Sequence, residues 1–240
     1  MNTAHNDASA AGGQPAKPGG ALPDGAWAGL HKAAQWVGRV ALRLPYRVRV
    51  HHAERIPRSG PIVLVANHSS LLDGPLLFGM LPREAVFLIK HEMFRGPVGW
   101  FLRRIGQIPV RRGEPDRRPL LTAVQVLRAG GLVGVFPEGT RGDGAVETAQ
   151  NGAAWLARTA GARVLPVACR GTRRPEGKRF RFFPRIDVLF GHPVTLPAEK
   201  GRAGLTAATE QLRTELVELI GELDQMIADQ RDRRTRGKRA

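Results

Sequence analysis

The chain has 240 residues, 42% of them hydrophobic and 24% charged, enough for one sizeable domain with its own core and tails. With 37 Lys and Arg against 21 Asp and Glu, the formal net charge is +16, which favours anionic partners: nucleic acid, anionic lipid or phosphate-rich small molecules. A single cysteine, Cys169, excludes an intrachain disulfide and a cysteine-based zinc site, and no apolar run reaches the roughly 18 residues of a membrane-spanning helix.

Residues 1–24 are rich in Ala, Gly and Pro, and they lack the basic and apolar regions of a secretory signal, so a disordered tail is predicted. From 25 to 44, Trp27, Leu30, Ala34, Val37, Ala41 and Leu44 recur at helical spacing, with His31, Lys32, Gln35, Arg39 and Arg43 on other faces. This is a basic amphipathic helix, fit either for a membrane interface or for packing on the domain. The domain itself is predicted over 45–229, followed by a basic disordered tail over 230–240.

Within the domain, Tyr46 to Ala53 alternates like an edge strand, with His51 and His52 as surface residues. Ile62 to Ala66 is β-branched and apolar without alternation, as in a strand buried on both faces of a parallel sheet. Asp73-Gly74-Pro75 opens a short apolar helix, with Asp73 as its N-cap. Further strands are predicted at Ala85–Lys90, around Ile108, at Leu132–Phe136, at Arg163–Arg170 and at Ile186–Phe190. Helices fall at Phe94–Ile105, Asp116–Ala129, Asn151–Ala160 and Leu205–Asp229. Strands and helices in alternation indicate an α/β domain, with a mostly parallel or mixed central sheet covered by helices on both faces.

The loop after the first buried strand carries His68 and, five positions on, Asp73. On one continuous helix such positions diverge by about 140°, so the two side chains pair only if Ser69 to Leu72 form a turn. A carboxylate bonded to one imidazole nitrogen fixes the tautomer and leaves the other nitrogen to take a proton. Alone, the same residues are also what a loop histidine followed by a capping aspartate looks like. Other strand ends add Asn67, Lys90, Arg111 with Arg112, and Glu138-Gly139-Thr140-Arg141. In a parallel sheet these ends share one edge, where a candidate base and several cations suit a phosphate-bearing substrate.

Four ordered motifs over roughly residues 45–195 resemble the glycerolipid acyltransferase family, which includes bacterial 1-acyl-glycerol-3-phosphate acyltransferase. Asn67-His68-Ser-Ser-Leu-Leu-Asp73 looks like its His-four-residues-Asp motif, and Gly106-Gln-Ile-Pro-Val-Arg-Arg112 like its second. Phe136-Pro-Glu-Gly-Thr-Arg141 and Val164-Leu-Pro-Val167 look like the third and fourth. Arg111 departs from the pattern, standing where many members carry an aspartate.

The resemblance implies transfer of a fatty acyl group from acyl-CoA or acyl-carrier protein to a lysophospholipid hydroxyl, most simply that of 1-acyl-sn-glycerol-3-phosphate. It implies His68 as general base oriented by Asp73, and Arg112, Glu138 and Gly139 as acceptor-binding positions. Lys90 and Arg141 are read as assisting Arg112 at the phosphate, with Asn67 and Thr140 in support. Neither metal nor cofactor beyond the acyl carrier is implied, and the expected location is peripheral, on an anionic membrane surface at the cytoplasmic face. Other acceptors, glycerol-3-phosphate among them, stay open. Two rival classes are weaker: a basic nucleic-acid module gripping through Arg170–Arg185 and the C-terminal tail leaves the strand-end residues unexplained, and a metal-dependent hydrolase with His68, Asp73 and Glu138 as ligands lacks a second histidine at a ligand spacing.

Overall fold

The computed structural model describes residues 22–111, 116–137, 151–173, 183–197, 199 and 201–236. Among these residues seven strands form one sheet: β1 (Arg47–His51), β2 (Ile62–Ala66), β3 (Ala85–Lys90), β4 (Ile108–Val110), β5 (Leu132–Val135), β6 (Arg163–Arg170) and β7 (Arg185–Phe190). Six α-helices among the described residues accompany them: α1 (Ala28–Arg43), α2 (Asp73–Met80), α3 (Gly96–Arg104), α4 (Arg118–Arg128), α5 (Gly152–Ala160) and α6 (Gly201–Arg236). The strand order is β1-β7-β6-β2-β5-β3-β4. Every neighbouring pair is parallel except β6 and β7, so β2 to β6 end on one edge of the sheet while β7 and β1 begin there. This is the α/β mixed sheet that the alternation of elements predicts.

All five residues of β2 are buried, and their alternation divides the core. Val63 and Val65 pack with α4, α5 and α6 on one face; Ile62, Leu64 and Ala66 pack on the other with α2 and the inner side of α1. A strand covered on both faces has no polar side to show, which is why β2 reads as a continuous apolar run. Pro166 is tolerated in the central strand β6 because the pairing with β7 has stopped there: its carbonyl accepts Gly191 N–H beside a short irregular stretch that ends at the Val164–Val194 bridge.

The N-terminal helix turns polar side chains inward. Its fully covered residues are His31 and Gln35, whereas Trp27, Trp36, Val37, Val40 and Leu44 are exposed. The cause lies in α2, which runs into Pro82 and leaves its last carbonyls without helical partners. Gln35 donates to the Phe78 and Arg83 carbonyls, and Arg39 to those of Gly79 and Leu81. His31 Nδ1 donates to Ile105 O at 2.7 Å, which leaves Nε2 to accept Ala85 N–H. The helices approach closely at Gly38 and Gly79; a Cβ on Gly79 would lie 2.8 Å from Arg39 N.

Other boundaries shift too. Residues 22–24 are ordered rather than tail, with Leu22 against the core and Pro23 O accepting Ala26 N–H. The α6 helix continues past Asp229 to Arg236, so residues 230–236 are its last turns and not a disordered tail. His51 is no surface residue either: its Nε2 lies 3.0 Å from buried Asp187. No helix among the described residues is long and apolar enough to cross a membrane.

Candidate active site

The site grows from the point where β2 stops. Asn67 follows its last residue and is fully buried, with its carboxamide turned into the sheet. Cys169 N–H donates to Asn67 Oδ1 at 2.8 Å, and Asn67 Nδ2 donates back to Cys169 O at 3.1 Å. A side chain thus exchanges the pair of bonds that a further strand residue would make, and the chain is released to turn at His68. Asn67 holds the loop to β6.

The turn that the dyad requires is present: Asp73 N–H donates to Ser70 O, closing Ser70 to Asp73. His68 Nδ1 lies 3.0 Å from Asp73 Oδ2, and the same oxygen accepts the Ser69 and Ser70 amides at 2.7 Å each. Asp73 is therefore the first residue of α2 and not its N-cap; its carboxylate caps the preceding loop. It has no exposed surface, and three donors on one oxygen compensate the burial of its charge. Its other oxygen, Oδ1, has no hydrogen-bond partner among the described residues. With the carboxylate on Nδ1, the chemistry of the ring is directed to Nε2.

An aromatic column fixes the plane of the imidazole. His68 stacks on Phe136 at 4.2 Å between ring centroids and 22° between planes, and Phe136 in turn faces Phe87 at 6.2 Å. Gly134 makes room for that column, since a Cβ there would lie 2.3 Å from the Phe87 ring. Gln107 repeats the device of Asn67, accepting Phe87 N–H at 2.9 Å and donating to Ile105 O. Phe136 and Gln107 belong to two motifs legible in the sequence, but their positioning roles appear only in three dimensions. Thr172 is a further contact, its hydroxyl 3.1 Å from that of Ser69.

The remaining predicted residues divide sharply. Lys90 is two strands from β2, about 10 Å along the edge, and its ammonium is bonded to Glu92 at 3.0 Å. Arg111 lies at the end of β4 on a cleft of about 810 Å³ that also involves Trp100, Arg103 and Arg104, and none of α2. Arg112, Glu138, Gly139, Thr140 and Arg141 lie outside the described residues. Cys169 is fully buried, and burial, with the Asp73 carboxylate adding to it, pushes its thiol well above the ordinary range. It has no character of a nucleophile.

Comparison with known proteins defines the class. The family model described as Acyltransferase matches residues 47–170, which takes in β1 through β6 and the His68–Asp73 loop. The chain belongs to this acyltransferase family. It is an O-acyltransferase, as its named relatives are. One of these, 1-acyl-sn-glycerol-3-phosphate acyltransferase of Bacillus subtilis, is 31% identical over 196 residues, 78% of this chain and 96% of the relative. A lyso-ornithine lipid O-acyltransferase of Pseudomonas aeruginosa is 37% identical over 137 residues, 55% of this chain and 51% of that protein. The crystal structure of the 1-acyl-sn-glycerophosphate acyltransferase PlsC from Thermotoga maritima superposes with a TM-score of 0.67 at 28% identity, covering 81% of this chain and 79% of that one.

Proposed function

We propose that this protein transfers a fatty acyl group from a thioester carrier to the free hydroxyl of 1-acyl-sn-glycerol-3-phosphate, giving phosphatidic acid. The observation that carries the reading is the His68–Asp73 pair, 3.0 Å apart with the carboxylate buried and doubly held by backbone amides. His68 Nε2 takes the acceptor proton as the hydroxyl oxygen attacks the thioester carbonyl. The tetrahedral intermediate collapses, the ester forms, and the carrier thiolate leaves with the proton returned by the imidazolium. No acyl-enzyme is needed, which agrees with a Cys169 sealed in the core. Arg112, Glu138 and Gly139, with Thr140 and Arg141, are carried over as acceptor-binding positions from the motifs they occupy, Arg112 meeting the phosphate.

The acceptor is lipid, and an apolar surface is available to meet it. Trp27 and Trp100 stand edge to face at 6.0 Å, and exposed Trp36, Val37 and Val40 continue along α1. Arg104 lies over both rings, a basic and aromatic combination suited to an anionic membrane interface. Peripheral attachment through α1 and α3 at the cytoplasmic face is part of the proposal.

The test is a product assay by mass spectrometry with lysophosphatidic acid, glycerol-3-phosphate and lyso-ornithine lipid as acceptors, and acyl-CoA or acyl-carrier protein as donor. Phosphatidic acid is the expected product, and His68→Ala should lower turnover by about 10²- to 10⁴-fold in folded protein. A folded variant that retains wild-type transfer removes His68 from the chemistry.

A further inference from the structure

Arg170 and Gly171, residues 183–185 and the end of α6 take no part in the dyad, yet they build a cleft together. Its volume is about 460 Å³, and it lies where the end of β6 and the starts of β7 and β1 meet the last turns of α6. Arg47, Arg49, Arg170, Arg185 and Arg231 line it, with Asp187 as the one carboxylate in that lining among the described residues. Arg170 is matched by Asp224, while Arg185 and His51 share Asp187. Arg47, Arg49 and Arg231 have no carboxylate partner among the described residues. Arg49 and Arg185 both donate to Gln230 Oε1, at 2.8 and 2.6 Å, so two cations converge on one neutral oxygen. What this arrangement lacks is an anion from outside.

Its position ties it to the acyl-transfer site. Asp187 is in register with both Arg170 and Arg49, and Arg170 directly follows the Cys169 peptide that Asn67 holds, so the cleft and His68 stand at the same height of the sheet. Strands β7 and β1 are two and three places from β2, roughly 10–15 Å along the edge. One segment joins the two places. Gly171, at φ +90°, turns tightly against Arg185, where a Cβ would meet the Arg185 carbonyl oxygen at 2.1 Å, and Thr172 beside it touches Ser69 of the His68 loop.

We propose that this cleft binds the clustered phosphates of a nucleotide-carried acyl donor, the phosphomonoester and pyrophosphate of an acyl-CoA, with the thioester arm running along the sheet edge to His68. The inference rests on the acyl-transfer reading. Three unmatched arginines suit a polyanion, and guanidinium groups suit phosphate. Phe183, half exposed on the cleft wall, offers a surface on which a base can stack. A bilayer headgroup fits less well, because the cleft faces α6 while the apolar surface of α1 lies over the opposite face of the sheet.

Equilibrium titration of the full chain with coenzyme A, adenosine 3′,5′-bisphosphate, inorganic phosphate and phosphatidic acid vesicles tests it, using Arg49→Gln and Arg231→Gln beside wild type. Both nucleotides should bind more tightly than inorganic phosphate, and each variant should weaken them by about tenfold or more. The KM for acyl-CoA should rise while kcat and the acceptor KM hold. Unchanged nucleotide affinity in both variants overturns the site, as does equal binding of inorganic phosphate or a loss confined to vesicles. Absence of transfer with every donor would count against the acyl-transfer reading alone, since nucleotide binding is measured without turnover.

Discussion

Replacing Asp73 with asparagine separates the charge of this carboxylate from its shape. Oδ2 accepts three N–H groups, and Oδ1 is buried with no partner among the described residues. An amide oxygen in the Oδ2 position keeps all three bonds, so the turn from Ser69 and the plane of His68 persist. The amide nitrogen then falls at the Oδ1 position, where it meets no acceptor, at a cost of about 1–3 kcal/mol. At about 2–4 °C per kcal/mol for a chain of this size, Tm drops by several degrees and the protein stays folded. The imidazolium formed during transfer loses the anion it faces, so kcat should fall by about 10²- to 10⁴-fold. Asp73→Ala strips the acceptor from all three donors and should cost more, about 3–5 kcal/mol. Release of the carrier thiol, followed with a thiol-reactive chromophore at saturating substrates, reports kcat; calorimetry on the same samples reports stability. A folded Asp73→Asn enzyme within about threefold of wild-type kcat would refute the role given to the charge. An asparagine variant as unstable as the alanine one would refute the hydrogen-bond geometry.

Other predictions concern α1. Burial holds the His31 imidazole below its ordinary pKa, outweighing the upward pull of its bond to Ile105 and of Glu84, with Lys32 adding a smaller downward push. The unfolded chain then binds a proton near pH 6.5 that the native state does not, so the contribution is complete above that pH and is lost as pH falls below it. Thermal melts of wild type should therefore decline from about pH 7 to about pH 5 more steeply than those of His31→Gln, and equal slopes would dismiss His31 as the source. Trp36→Ser combined with Val37→Ser should leave stability within about 0.5 kcal/mol but weaken flotation with anionic liposomes, because both side chains are exposed. Gln35→Ala should do the reverse, costing about 1–3 kcal/mol by leaving the Phe78 and Arg83 carbonyls without their donor. Unimpaired flotation of the double variant would detach this face from the membrane.

The sheet was legible because burial writes itself as composition: β2, β3, β5 and β6 are largely apolar runs. The direction of β7 was not, since no periodicity records whether a strand runs parallel or antiparallel to its neighbour. Which side of α1 faces inward was not legible, for a definable reason. Hydrophobic periodicity assumes that the covered face is the apolar one, whereas here the covered face answers the unpaired carbonyls ending α2. At the site, the spacing of His68 and Asp73 raised the possibility of a pair, and only the turn decided it. The stack on Phe136 was invisible because it joins residues from two strand ends 68 positions apart, although both sit in quoted motifs.

Two of the buried carboxamides, Asn67 and Gln107, bear on time scale as well as geometry. Each accepts a backbone amide beyond the ordinary ladder, that of Cys169 and that of Phe87. Amides held inside a core exchange their hydrogens with water only when that core opens. The floor beneath His68 therefore moves on the clock of unfolding rather than of turnover, and the motion needed to admit an acyl chain and release product falls to the rim above it.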